Sequence, residues 1–324
     1  MKKFDDNFSY LKVLSGGQTT SLQDFGRYGH QDKGVPPSGV INFQNMILAN
    51  KLVGNDAKDA VLETFISGPI IEVNADEVLI ALVGGNHSYL EILNKNLKIR
   101  SGRSIQLKRG DRIKIILGKD NLISTLAIYG SFKVKDVLGS KSTNPSVKMG
   151  GFNGGFLKDN LNLPLNLNNY EGQDRIVLKY EPIKEIDQLR VILGPHLDKF
   201  TQNVIEKFLA TSWRVTKDIN RMGIKLSGDE IDTTSGRDML SDGNQIGSIQ
   251  VTLKGEPIIL LPDRGTIGGY PKIATIISSD FGLISNLKVG QKINFKKVSI
   301  EEAQTIARET RERFDGVLSS VTKI

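Results

Sequence analysis

The sequence has 324 residues, of which 39% are apolar and 24% charged, and its formal net charge is +7. This length is more than one hydrophobic core usually supports, so we expect two domains. No stretch approaches the roughly 18 consecutive apolar residues of a membrane helix, and no apolar segment of a secretory signal follows the first lysines. The absence of cysteine excludes disulfides, thiolate catalysis and thiolate metal sites, and it favours a cytoplasmic protein.

The predicted elements are mostly short strands that end at Gly, Asn or Asp. In the first half we predict a helix over 42–54, with Asn42 as its N-cap, and then strands over 61–67, 77–84, 111–118 and 123–130. In the second half we predict strands over 189–194, 223–228, 248–253, 257–262 and 272–278, and helices over 201–211 and 299–314. Ser299 and Glu302 form a capping box for the last helix.

This order of elements favours a mainly β fold with a few helices, arranged as two barrels or sandwiches. We place the domain boundary near residue 180, which gives domains 1–180 and 181–324. The positive charge does not indicate a nucleic-acid partner. The densest lysine cluster, "KINFKK" (292–297), alternates with apolar residues as a strand with one solvated face does.

Several kinds of chemistry lack their motif. The sequence contains no P-loop and no nucleophile elbow of the G-x-S-x-G type. Its histidines, His30, His87 and His196, have no partner at metal-ligand spacing, so we predict no metal site.

Two loops are rich in glycine and polar groups. The loop "SLQDFGRYGHQDKGVPPSGV" (21–40) offers the amide of Gln23, the carboxylate of Asp24, the guanidinium of Arg27 and the hydroxyl of Ser38. The loop "DRGTIGGYPKIAT" (263–275) follows an apolar run and offers polar groups that suit an anion or a carbonyl. From the residues alone, each loop is equally well explained as a structural turn, with Asp24 and Arg27 paired.

Taken together, these loops and the motifs "LETFISGP", "RMGIKLSG" and "GSIQV" resemble the allophanate hydrolase subunit 2 family. This family is of the biotin-dependent carboxyltransferase type, and its bacterial members include the C subunit of 5-oxoprolinase and a kinase-inhibitor antagonist. The motifs occur in order from about residue 13 to residue 298. The resemblance implies two cyclophilin-like β-barrel domains.

The resemblance also implies a function in a complex that opens the lactam of 5-oxoproline to L-glutamate. The implied partners are a kinase-inhibitor-like B subunit and often an A subunit that uses ATP, together with a small amide or lactam substrate. No cofactor is expected on this chain, because another protein of the complex would use the ATP. No nucleic-acid or membrane partner is expected.

Family motifs assign the site residues by position. The implied catalytic residues are Gln23, Asp24, Arg27, Gln250, Thr266 and Tyr270, and the implied substrate-binding residues are Ser38, Gly39, Asn42, Gly268 and Gly269. We interpret Gln23, Gln250 and Thr266 as donors to a carbonyl or oxyanion. Arg27 would bind a carboxylate, and Asp24 would orient Arg27 or act as a base. The sequence departs from the family pattern at Asn42, Gly155 and Gly265.

Two alternatives remain open at this point. The chain could be a carboxyltransferase component that acts on urea or a similar amide, with carboxybiotin on another protein. It could also be a non-catalytic regulator that binds a kinase-inhibitor-like partner, which the three departures favour.

Overall fold

The structure is a computed structural model that describes residues 9–119, 121–167, 176–178, 186–233 and 239–323. The chain divides into two compact bodies. The first comprises Met1–Arg27, Asn42–Ile183 and Phe314–Ile324, and the second comprises Tyr28–Ile41 and Lys184–Arg313. The predicted domains, 1–180 and 181–324, differ from these bodies in residues 28–41, 181–183 and 314–324, and the predicted boundary near 180 lies outside the described residues.

Two antiparallel sheets form the first body. In chain order, its first twelve strands are β1 (Tyr10–Ser15), β2 (Thr19–Gln23), β3 (Val61–Phe65), β4 (Ile70–Asn74), β5 (Glu77–Val83), β6 (Tyr89–Ile92), β7 (Leu97–Arg100), β8 (Arg103–Lys108), β9 (Arg112–Ile116), β10 (Ile123–Ile128), β11 (Asn162–Pro164) and β12 (Ile176–Leu178). One sheet has the order β11-β1-β4-β9-β6-β7, and the other contains β2-β3-β10-β5-β8-β12.

The two sheets enclose one hydrophobic core. Leu11 and Val13 of β1 alternate inward from the first sheet, and Leu62, Ile80 and Leu126 enter the same cluster from the second. The helix α1 (Phe43–Val53) packs on β5 and β10 of the second sheet. Because both faces of β5 are therefore covered, that strand is apolar nearly throughout.

The second body contains a closed barrel. Its strands are β13 (Gln188–Leu193), β14 (Trp213–Asn220), β15 (Gly223–Ser227), β16 (Asp242–Gly243), β17 (Ser248–Val251), β18 (Pro257–Leu260), β19 (Ile267–Gly268), β20 (Lys272–Ile276) and β21 (Lys292–Lys297). The barrel order is β13-β20-β17-β18-β15-β14-β21, and the parallel pair β13 and β21 closes it. The short strands β16 and β19 pair separately. The predicted fold class, mainly β with a few helices, is confirmed, with a closed barrel in the second body and two sheets around one core in the first.

The remaining helices are α2 (Gln202–Ala210), α3 (Ser278–Phe281) and α4 (Ile300–Ser319). The three predicted helices are confirmed. Asn42 caps α1, and Ser299 and Glu302 exchange two hydrogen bonds at the start of α4, at 2.7 and 3.1 Å. After α4, β22 (Val321–Lys323) pairs with β12. None of the helices in the described part of the chain is both long and apolar enough to cross a membrane.

Candidate functional site

Asp24 organises the first loop of the first body. Its carboxylate accepts hydrogen bonds from the backbone N–H groups of Gly26 and Lys141, at 2.8 and 2.6 Å. It also accepts from the hydroxyls of Ser140 and Ser142, at 2.6 and 2.5 Å. These contacts use the acceptor capacity of the carboxylate to connect the end of β2 with residues 140–142.

Gln23 and Arg27 of this loop point into the first body. Gln23 is 0% exposed, and its amide Nε2 donates to Ser21 Oγ at 2.8 Å and to the Thr143 carbonyl at 3.0 Å. Arg27 is 1% exposed and donates to the carbonyls of Val137 and Ser142. Both side chains therefore bind the main chain around Asp24, and the roles predicted for them stay predictions.

Asn42, which also belongs to the first body, is the N-cap of α1. Its side-chain oxygen accepts a hydrogen bond from the Asn45 backbone N–H at 3.0 Å. Because asparagine and aspartate cap equally well, this departure from the family pattern leaves the helix start intact.

Ser38 and Gly39 belong to the second body and are held in a left-handed turn, with φ of 56° and 92°. The Ser38 N–H donates to the Pro262 carbonyl at 3.2 Å, and the Gly39 carbonyl accepts from Arg221 Nη2. Arg221 also forms a buried pair with Asp263, with Nε to Oδ2 at 2.8 Å. This pair fixes the start of the second loop.

Asn244, which lies between β16 and β17, contacts the second loop at several points. Its backbone N–H donates to the Thr266 carbonyl at 2.8 Å, and its side-chain nitrogen donates to the Gly265 carbonyl at 3.0 Å. Its side-chain oxygen accepts from Gln250 Nε2, and its backbone carbonyl accepts from Arg264 Nε, both at 3.0 Å. The buried Asn244 therefore sets the positions of the amide and the guanidinium beside it.

The two glycines of this loop differ in their surroundings. A Cβ atom at Gly268 would lie 2.8 Å from Gln250 Nε2 and 2.9 Å from Asn244 Nδ2, whereas at Gly269 the nearest atom would be 3.5 Å away. The side chain that follows them, Tyr270, is 40% exposed. The absence of a side chain at Gly268 lets the loop backbone lie directly against the two amides.

A lysine, a carboxylate and a histidine lie beside this cluster. Lys272 is 1% exposed, and its ammonium contacts Asp242 Oδ2 at 3.0 Å, while His196 Nε2 is 3.3 Å from the same oxygen. His196 Nδ1 accepts the Lys272 backbone N–H at 3.1 Å. Strand pairing places Lys272 opposite Gln250 and Asp242 opposite Gly268.

The charges of this group shift two pKa values. Burial, with a smaller effect of the Lys272 charge, lowers the pKa of His196. The hydrogen bond from Lys272 is the main reason that the pKa of Asp242 is lowered. Both shifts are downward, so the group combines a carboxyl and an imidazole of lowered pKa beside the ammonium of Lys272.

The second body therefore brings together Gln250, Thr266, Gly268, Gly269 and Tyr270 of the predicted site. The sequence analysis missed Asn244, Arg264, Lys272, Asp242 and His196. A signal for Lys272 was present, since alternation in "KIATI" places it on the same face as Ala274 and Ile276. Among the described residues, no group of three or more His, Cys, Asp or Glu side chains could hold a metal ion.

Comparison with known proteins identifies the family. The model of the carboxyltransferase domain, subdomain A and B, matches residues 33–297. The chain belongs to this carboxyltransferase domain family. It is 31% identical to the 5-oxoprolinase C subunit of Escherichia coli, over 94% of this chain and 96% of that protein. It is 25% identical to the protein of the same name from Haemophilus influenzae, over 95% and 97% of the two chains.

Solved structures of larger family members share the fold. The crystal structure of the urea amidolyase of K. lactis superposes with a TM-score of 0.85 at 28% identity. The superposed region covers 97% of this chain but only 20% of the urea amidolyase chain. The carboxyltransferase domain fold therefore occurs both in proteins of about this length and within much longer enzymes.

Proposed function

We propose that this chain is the C subunit of an ATP-dependent 5-oxoprolinase complex, which opens the lactam of 5-oxoproline to L-glutamate. The observation that carries the proposal is the similarity to the 5-oxoprolinase C subunits of two bacteria over nearly the whole of both chains. The similarity to urea amidolyases reaches only a fifth of their length, so it leaves most of those enzymes without a counterpart here.

Lactam opening has two chemical demands. Water adds its oxygen to the lactam carbonyl carbon, the carbon–nitrogen bond of the ring breaks, and the ring nitrogen takes a proton to become the amine of glutamate. Negative charge develops on the carbonyl oxygen on the way, so donors aimed at that oxygen stabilise the transition state. The leaving nitrogen needs a proton donor nearby.

In our proposal the second body meets the first demand. The Gln250 amide nitrogen carries two hydrogens, and one of them is used at 3.0 Å on Asn244. Its other contact, to the Tyr270 carbonyl, is long at 3.5 Å, so we propose that the second hydrogen binds a substrate oxygen. The backbone N–H groups of Gly268 and Gly269 lie on the same loop and supply further donors.

In our proposal, the proton for the leaving nitrogen comes from the group of Lys272, Asp242 and His196. The ammonium of Lys272 is a buried proton donor in a strand position opposite Gln250. Asp242 Oδ2 contacts this ammonium at 3.0 Å, and His196 Nε2 is 3.3 Å from the same carboxylate oxygen. We assign Lys272 as the donor to the leaving nitrogen and Asp242 as the residue that positions it.

The first body has a different role in this proposal. Gln23 is fully buried and its donors face Ser21 and Thr143, so we assign the carbonyl-donor role to Gln250 instead. Asp24 and Arg27 shape the loop through main-chain contacts.

The proposal includes partners. We propose that a kinase-inhibitor-like B subunit binds this chain and that an A subunit uses the ATP, with no cofactor held by this chain. The basis is that both full-length relatives are named as subunits of an enzyme and that the sequence contains no P-loop motif. We place the complex in the cytoplasm, on the basis of the cysteine-free sequence.

A carboxyltransferase acting on urea or a similar amide is the second candidate, favoured by the TM-score of 0.85 to urea amidolyase.

The experiment combines the purified chain with the A-type and B-type proteins of its own source and measures glutamate and ADP formed from 5-oxoproline and ATP. We expect activity from the three together and none from this chain alone. Carboxylation of urea with a carboxybiotin donor, and no glutamate, would replace the first candidate by the second. Stable binding of the B-type protein without either reaction would indicate a regulator.

A further inference from the structure

Arg264 is a buried arginine without a carboxylate partner in the described part of the chain. It is 4% exposed, and its Nε donates to the Asn244 carbonyl at 3.0 Å. Its Nη1 has only a long contact, at 3.5 Å, to the Pro262 carbonyl. A guanidinium carries five N–H donors, so most of its donor capacity is unused by the described residues.

The nearest acidic residue in sequence contacts a different arginine. Asp263 is engaged by Arg221 through two contacts, at 2.8 and 3.3 Å, and both members of that pair are buried. Burial lowers the pKa of Arg264, although the nearby Tyr28 and Asp263 act in the opposite direction. Because no carboxylate of the described residues contacts the guanidinium and most of its N–H donors are unused, an anionic group can bind at this point.

Arginine suits a particular kind of anion. Its planar fork matches a carboxylate in a bidentate contact, which a lysine cannot reproduce. Arg27, the arginine predicted for this role, instead donates to the carbonyls of Val137 and Ser142.

The position of Arg264 relative to the amides adds the second argument. Asn244 contacts both the Arg264 Nε and the Gln250 Nε2 at 3.0 Å, one through its backbone carbonyl and the other through its side chain. In 5-oxoproline, the carboxylate and the lactam carbonyl are attached to the two ring carbons that flank the nitrogen. A small molecule with an anion at one end and a carbonyl at the other matches this order of groups.

We propose that Arg264 binds the carboxylate of the substrate and thereby selects carboxylated lactams over neutral ones. This inference rests on the proposed function and deepens it, because it names the group that fixes the substrate's orientation. Gln250 and the Gly268 backbone then face the lactam carbonyl, and Lys272 is available for the ring nitrogen.

The test uses the full chain in the reconstituted complex with 5-oxoproline and with pyrrolidin-2-one, the same lactam without its carboxylate. Arg264→Gln should raise the KM for 5-oxoproline by about ten- to a hundredfold, the usual value of a charge-assisted contact. Inhibition by pyrrolidin-2-one should stay unchanged, which a general loss of site structure would not allow. Arg264→Lys should give an intermediate KM, and the exposed Arg214→Gln in the same body serves as the matched control.

Direct binding to the full chain separates this inference from the proposed function. If Arg264→Gln abolishes 5-oxoproline binding in ligand-detected NMR while the wild-type complex forms no glutamate, the carboxylate site stands and the proposed reaction falls. If the complex forms glutamate and Arg264→Gln leaves KM and binding unchanged, the reaction stands and the carboxylate site is refuted. Absence of 5-oxoproline binding to the wild-type chain and complex also refutes it.

Discussion

The contrast between Gly268 and Gly269 provides a sharp test of the second loop. The substitution Gly268→Ala adds one methyl group, whose carbon would lie 2.8 Å from Gln250 Nε2 and 2.9 Å from Asn244 Nδ2. The same substitution at Gly269 meets its nearest atom at 3.5 Å, an ordinary van der Waals distance. The two variants therefore differ in whether the amide cluster must move.

The size of the movement follows from the distances. Restoring an ordinary contact of 3.4 Å requires Gln250 Nε2 to move by about 0.6 Å from its 2.8 Å position. Such a shift takes the 3.0 Å hydrogen bond to Asn244 to the limit of useful geometry. Loss of one side-chain hydrogen bond lowers the free energy of unfolding by about 1 kcal/mol. Loss of one aligned oxyanion donor lowers kcat by about 10²–10³.

The assay is steady-state glutamate formation by the reconstituted complex, together with urea denaturation of each purified variant. We expect Gly268→Ala to lose most of its kcat with a small loss of stability, and Gly269→Ala to stay within a few-fold of the wild type. Equal kcat values for the two variants would refute the donor role of the Gln250 amide.

Three further predictions concern stability. Arg221→Met leaves Asp263 as a buried charge without its partner, so the free energy of unfolding should fall by about 3–5 kcal/mol in chemical denaturation; a loss below about 1 kcal/mol would contradict this. The pKa of His196 is lowered in the folded chain, so the unfolded chain binds a proton more readily and the free energy of unfolding should fall as pH drops from 7 to 5. His196→Gln should reduce this fall, and identical pH profiles of the variant and the wild type would refute the prediction. Asp24→Asn replaces an acceptor of four hydrogen bonds and should lower the free energy of unfolding by about 1–3 kcal/mol in urea denaturation. The exposed Asp32→Asn should cause no measurable change, and equal losses for the two variants would contradict the role of Asp24 in connecting β2 with residues 140–142.

Much of the fold could be predicted from local patterns in the sequence. The Asn42 cap and the Ser299–Glu302 capping box involve residues three positions apart, so their contacts are readable without tertiary structure. Every strand predicted in the sequence analysis coincides with an observed strand within two residues at each end, because apolar runs ending at turn residues are a local signal. The lysine cluster 292–297 forms β21, with Ile293 and Phe295 inward.

The candidate site depended on contacts between distant residues. Asn244 gains its importance from Arg264, Thr266 and Gln250, which reach it only after the barrel has formed. Likewise, alternation could place Gln23 on a strand face but could not show that Thr143, 120 residues away, would take its amide hydrogen. The loop 21–40 looked like one unit, yet its first part belongs to the first body and Tyr28–Ile41 to the second.

Substitution of Gln250 tests most directly the central claim, that the second body of this chain supplies the donors for lactam opening. Gln250→Leu keeps a similar volume and removes both amide hydrogens, and the exposed Gln245→Leu is its matched control. With the reconstituted complex and saturating 5-oxoproline and ATP, we expect Gln250→Leu to form glutamate about 10²–10³ times more slowly than Gln245→Leu, at equal binding of the B-type partner. Equal rates of glutamate formation by the two variants would contradict the claim and move the reaction away from this loop.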